Sequence, residues 1–257
     1  MIWLRFSAMS EPGASVLVPR PPSGRVVVAE RRVRLGDVDT TGRARLDALA
    51  RYLQDVARDD SSDTDLPNSM GWVVRRTLIE VRQAPMLEEW LELTTWCSGY
   101  GGRWAERRTE IGGDRGAMVG SSTLWVHVDT DSGRPIRLPD RFFEIWGEAS
   151  QDRRVSARTS LEQTPPPNAT VGPWPVRAAD LDVLGHMNNA AHWAAVEEVL
   201  SRGVAPTRMR AELEHGVSIG PQHVVSLHSR SCDDRVEIWL TADDRMASVA
   251  RITPLVG

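Results

Sequence analysis

The rhythm of apolar residues changes several times along the chain. The segment "RVVVAERRVRL", after Gly24, is β-branched, short and closed by Gly36, which predicts a strand. From Ala44 the period becomes helical. Leu46, Leu49, Ala50, Leu53, Val56 and Ala57 fall at i, i+3, i+4, i+7, i+10 and i+11, a single apolar stripe. Strand-like runs follow: "WVVRRTLIEV", "EEWLELTTWCSG", "RWAERRTEIG" and "AMVGSSTLWVHVDTDSGRPIRL", separated by turns rich in Gly, Pro and Asp. Residues 147–172 are polar and proline-rich near their end, and they predict a linker crossing the surface.

Beyond the linker the pattern restarts. Setting Val33 against Val176 aligns "VRLGDVDTTGR" with "VRAADLDVLGH", and Val, Arg, both Asp and Gly match in place. A helix follows in both halves, and then come strand patterns, "TRMRAELEHGVSIG", "HVVSLHSRSC", "RVEIWLTAD" and "ASVARITP" in the second. The same element order behind the match predicts an internal duplication. The expected organisation is a flexible leader over 1–25, one α+β unit over 26–146, the linker over 147–172 and a second unit over 173–257. In each unit an antiparallel sheet must bury one long helix on one face, and a duplicated chain forms a continuous double sheet.

Composition narrows the function classes. With 257 residues, 41% hydrophobic and 26% charged, the chain is long enough and ordinary enough to bury a sizeable core. The net charge of -4 disfavours a general nucleic-acid binder, although all 31 basic residues are arginine, which suits phosphates and carboxylates. Cys97 and Cys232 are isolated, form no zinc-ligand pattern and read as inert thiols. The six histidines include no HExxH pair, so no metal is expected. No apolar run approaches a membrane span of roughly 18 to 20 residues. The N-terminal segment has too short an apolar core for a signal peptide, so the expectation is a soluble cytoplasmic protein.

The candidate chemistry lies in "DLDVLGHMNNAAHWAAVEE". Carried across by the same offset, the first helix's Leu46, Leu49, Ala50 and Leu53 become Asn189, His192, Trp193 and Val196. Two polar groups are thus expected on a buried face, which carries a desolvation cost unless they are paired or functional. Asn188 or Asn189 is also a plausible helix N-cap. A helix start offers free N–H groups and a positive dipole end, suited to polarising a carbonyl and holding an oxyanion. Asp182 fits a general base or nucleophile, with His186 orienting or donating. The alternative is that Asp182 only ties down the turn, as Asp39 does in the first copy. "DVDTTGR" keeps the aspartate and glycine but lacks the histidine and asparagines, which fits one working site, in the second half.

These residues resemble the acyl-acyl carrier protein thioesterases, a double hot-dog family, most closely in its actinobacterial form. The resemblance rests on "RLGDVDTTGRARLDALARYLQD", "WVVRRTLIEVRQAP" and "WVHVDTDSGRPIRLP" in the first half, and on "VRAADLDVLGHMNNAAHW" and "AELEHGVSIG" in the second. It implies hydrolysis of a fatty acyl thioester of acyl carrier protein or coenzyme A to the free acid, with no metal or redox cofactor. Carried over by position, the resemblance implies Asp182 and His186 as catalytic residues; the comparison of the two copies adds Asn189 and His192, with Gly185, Met187, Asn188, Trp193 and Glu214 expected to touch substrate. Leu184 stands where the family pattern has asparagine, and the strand position usually held by an acidic group falls at Gly216 or Val217. Linker arginines 153, 154 and 158 are candidates to meet phosphopantetheine or an acidic carrier. The chain is expected as a monomeric pseudo-dimer or a homodimer. A non-catalytic acyl-binding protein is the alternative function. A hot-dog hydratase is disfavoured, because Asp182 and His186 are four apart with no proline between them.

Overall fold

A computed structural model describes residues 17–255 apart from 65, 67–70, 204–205 and 233. The first half runs β1 (Val26–Arg32), α1 (Leu46–Ser62), β2 (Gly71–Gln83), β3 (Trp90–Tyr100), β4 (Trp104–Gly113), β5 (Met118–Val128) and α2 (Asp140–Ser150). The second runs β6 (Thr170–Pro173), α3 (Ala191–Leu200), β7 (Met209–His215), β8 (Val225–Cys232), β9 (Arg235–Ala242) and β10 (Arg245–Pro254). All ten strands form one sheet in the order β1-β3-β4-β5-β2-β7-β10-β9-β8-β6. Read outward from the β2·β7 junction, the two halves repeat each other strand for strand. The junction is antiparallel, from Arg76 opposite Glu214 to Val81 opposite Met209. This is the double hot-dog of the α+β class.

The apolar stripe of α1 explains why the sheet curls. Leu46, Leu49, Leu53 and Val56 are buried in one core with Trp193, Val196 and Leu200 of α3 and with strand residues of both halves, including Ile79, Leu93, Leu213 and Ile252. Irregular pairing between Val74 and Arg76, Cys97 and Gly99, and Met246 and Ser248 marks bulges, which add local bend and twist.

Three features depart from the expected organisation. The sequence pattern did not predict α2, which runs across the 146/147 boundary and packs Phe142 and Trp146 against Cys97 and Tyr100. Trp146 Nε1 donates to Asp60 of α1 at 2.9 Å, and Asp60 also pairs with Arg25 and Arg107 at 2.5 and 2.6 Å. Burial raises the Asp60 pKa, but the two guanidinium groups outweigh it and hold the carboxyl below its usual range. Secondly, the linker that was expected to cross the surface is also fastened there by side chains the sequence did not point to. Arg76 donates to the carbonyls of Ser156 and Arg158, and Trp239 Nε1 to that of Glu162, pinning the segment against the outer sheet face. Thirdly, the leader falls outside the described residues up to residue 16, and from Leu17 it lies against the sheet, where the Val18 carbonyl accepts from Arg108 Nε at 3.1 Å. No helix among the described residues is long and apolar enough to cross a membrane.

Candidate active site

The turn before each helix is built twice with the same hydrogen bonds. Asp39 N–H donates to the Arg43 carbonyl and Gly42 N–H to the Asp39 carbonyl, as Asp182 N–H does to His186 and Gly185 N–H to Asp182. Gly42 and Gly185 sit at φ +84° and +72°, the left-handed region that a side chain disfavours. Asp39 Oδ1 accepts the N–H groups of Thr41 and Arg43, and Asp182 Oδ1 those of Leu184 and His186 at 2.9 and 3.3 Å. The aspartate and glycine therefore shape the bend in both copies.

The side-chain bonds to the aspartate separate the copies. Asp39 also takes the Thr41 hydroxyl and the Arg43 guanidinium, at 2.7 and 2.9 Å. Burial works to raise its pKa, yet these bonds hold it below the usual range. Leu184 and His186 make no such bonds, and Asp182 Oδ2 has no partner among the described residues. His186 is exposed, and its ring is likewise unpartnered among them.

The two helix starts differ in the same sense. At α1, Glu197 of α3 accepts Leu46 N–H at 2.6 Å and the Arg43 guanidinium at 2.7 Å, which closes the start with an ion pair. The cleft outside it, of about 710 Å³, is lined by charges that already pair with one another, including Arg43, Arg45, Asp47 and Glu197. Before α3, Asn188 Oδ1 accepts the Ala190 N–H at 2.8 Å and ties the turn, while the N-cap position is Ala190, which has no capping side chain. Neither the N–H nor the amide of Asn189 has a partner among the described residues. Asn189, Ala190 and Trp193 line a small cavity of about 10 Å³ that shares Gln54 and Trp125 with a larger one. The larger cavity, of about 230 Å³, lies in the first half between α1, α2 and the sheet. Its walls include Trp72, Trp125, Phe142, Trp146 and Cys97, with Gln54, Arg58 and Ser61 along α1. Burial pushes the Cys97 thiol up to about 11, which fits an inert wall.

Of the expected site residues only Asn189 and Trp193 line these cavities; Asp182 and His186 line neither. His192 is 4% exposed, with Nδ1 2.9 Å from Ser248 Oγ and its ring edge-on to His215 at 4.8 Å. It sits between helix and sheet, behind the helix start, and lines neither cavity. Burial lowers its pKa to about 4. Met187 is a core residue whose N–H donates to the Ile219 carbonyl. Glu214 lies on the opposite face of the sheet from α3. Met209, Ala211 and Leu213 face the helices, so Glu214 faces out and accepts the N–H groups of Ser160 and Leu161 at 2.6 and 3.3 Å. Gly216 could hold no side chain, since a Cβ there would stand 2.2 Å from the Met246 carbonyl oxygen. Arg153 pairs with Glu106 and Arg154 stacks on Tyr100, so both anchor the linker. No group of three metal-ligating side chains occurs among the described residues. Gln54 is the residue that sequence reasoning passed over; its signal was the offset itself, which sets it opposite Glu197.

Models of the acyl-ACP thioesterase N-terminal and C-terminal domains match residues 24–146 and 164–242. An uncharacterized protein of Mycobacterium tuberculosis is 30% identical over 241 residues, covering 93% of this chain and 96% of that one. Oleoyl-acyl carrier protein thioesterase 2 of Arabidopsis thaliana is 25% identical over 252 residues, 88% of this chain and 65% of that protein. Among solved structures, the 12:0-ACP thioesterase of Umbellularia californica aligns with a TM-score of 0.73 at 20% identity, covering 89% of this chain and 96% of that one. An acyl-ACP thioesterase of Bacteroides thetaiotaomicron aligns at 0.74 and 15% identity, over 89% and 97% of the two chains.

Proposed function

Because this chain belongs to the acyl-ACP thioesterase family, whose members are thioester hydrolases, we propose that it hydrolyses a fatty acyl thioester at the start of α3. The thiol carrier is acyl carrier protein or coenzyme A, and the product is the free acid. The observation that carries the reading is the contrast between the helix starts: one is closed by Arg43 and Glu197, and the other leaves Asn189 unpartnered beside a cavity.

In this reading the acyl chain lies against the aromatic walls of the larger cavity, and its carbonyl meets the N–H of Asn189. That donor stabilises the charge that develops on the carbonyl oxygen when water adds. Asp182 takes the proton of the attacking water on Oδ2, while Oδ1 stays committed to the turn. The tetrahedral intermediate then expels the thiolate, which recovers the proton, and His186 orients the carboxylate once its ring, unpartnered among the described residues, turns toward Oδ2. His192, buried and neutral, braces the helix start through Ser248 and takes no part in the proton transfers.

The test is hydrolysis of a chain-length series of acyl thioesters by the wild type, Asp182→Asn and His186→Ala. Asp182→Asn keeps the turn acceptor and loses the base, so kcat should fall about 10²- to 10⁴-fold with little change in melting temperature. A wild type that binds acyl chains yet cleaves no ester would replace hydrolysis with the acyl-binding reading. Undiminished activity in both variants would move the site elsewhere in the fold.

A further inference from the structure

The shared turn fixes how the two halves correspond at the helix starts, where each residue of the first turn is matched 143 positions later, as Asp39 is to Asp182 and Arg43 to His186. The match runs on into the helices, which lie side by side in one core. Glu197 of α3 reaches the start of α1, where it accepts Leu46 N–H at 2.6 Å. The residue of α1 that corresponds to Glu197 is Gln54, and the residue of α3 that corresponds to Leu46 is Asn189. Gln54 and Asn189 do line the same small cavity. Gln54 is half-buried, its carboxamide has no partner among the described residues, and it also lines the larger cavity.

The chemistry at the two positions is not the same. A carboxylate at 197 can only accept, and it is consumed by a guanidinium and a backbone N–H. A carboxamide at 54 carries two N–H donors and no charge, so it does not seek a counter-ion and does not repel a developing oxyanion. The cation of Arg43 is replaced by His186 in the same exchange.

Resting on the hydrolytic reading above, we infer that Gln54 is a catalytic residue supplied by the first half to the second half's site. Its Nε2 donates a hydrogen bond to the thioester carbonyl oxygen, opposite the donor at Asn189. The oxyanion is then held by two donors, one from each half of the chain, and neither half contains a complete site.

The experiment compares wild type, Gln54→Leu, Gln54→Glu and, at the mirror position, Glu197→Gln, in steady-state hydrolysis of acyl thioesters with melting temperatures recorded for each. Losing one oxyanion donor should lower kcat about 10²- to 10³-fold in Gln54→Leu, with KM changed little. Gln54→Glu should be as impaired at neutral pH and recover as the pH falls and the new carboxyl gains a donating proton, a profile that a packing role does not generate. Glu197→Gln should lose thermal stability while keeping kcat within about threefold. A wild type that hydrolyses esters beside Gln54→Leu and Gln54→Glu variants of near-normal kcat and unchanged pH profile overturns this inference alone. An inactive wild type overturns the hydrolytic reading and this inference with it.

Discussion

His192 and His215 meet edge to face beneath the start of α3, and each is held neutral for the same reason. Burial lowers both, and His215 is lowered further by its neighbours His192 and Arg75. A histidine whose pKa falls on folding binds fewer protons in the native state than in the unfolded one. Stability is therefore full above the unfolded pKa of about 6.5 and is lost as pH drops toward the folded value. For His192, with its value near 4, the loss is about 3 kcal/mol over that window. Denaturant titrations across it should show the midpoint falling, and His192→Leu, which restores what Leu49 is in the first copy, should flatten the fall. The helical stripe made the inward direction of Asn189 and His192 legible in the sequence. It did not show that one opens on a cavity while the other lies behind it, because the two stand nearly one turn apart on the same face and the difference depends on which neighbours fill the space.

At the scale of the element, β7 decides where Glu214 goes. Met209, Ala211 and Leu213 alternate with Arg210, Glu212 and Glu214, so the strand's own period sets the charged residues on the outer face and His215 on the inner one. That signal is present in the alternation of "MRAELEH", whereas the family pattern places the acidic position at Gly216. Glu214 instead accepts from Ser160, Leu161 and Gln163 and fastens the linker across the junction of the halves. Glu214→Ala should cost on the order of 3 kcal/mol, since it orphans buried donors that a carboxylate had satisfied. Limited proteolysis should then cut first near residues 156–163, whereas the wild type resists there. The opposite omission, α2, has a different cause: eleven residues with Gly147 inside carry a weak helical signal, and only packing of Phe142 and Trp146 on β3 makes the helix worth forming.

For the whole molecule, the duplication and its element order were legible because the turn and helix start repeat at one offset and the same elements follow in each half, and repetition survives divergence of individual residues. Contacts across the halves were not. Arg43 and Glu197 are separated by 154 positions and meet only because α1 and α3 lie side by side. Two identical protomers related by a two-fold must carry identical pockets. A chain that contains both halves is released from that constraint, and here one helix start is closed by an ion pair while the other leaves the Asn189 N–H without a partner among the described residues.

The ion pair at the first helix start thus fixes a number. Isothermal titration with a non-hydrolysable acyl thioester should saturate at a single equivalent for each polypeptide, and a second equivalent would mean that Arg43 and Glu197 part to admit a ligand. Occupancy of one half of an apparently symmetric body is then set by covalent structure alone, with no communication between sites required.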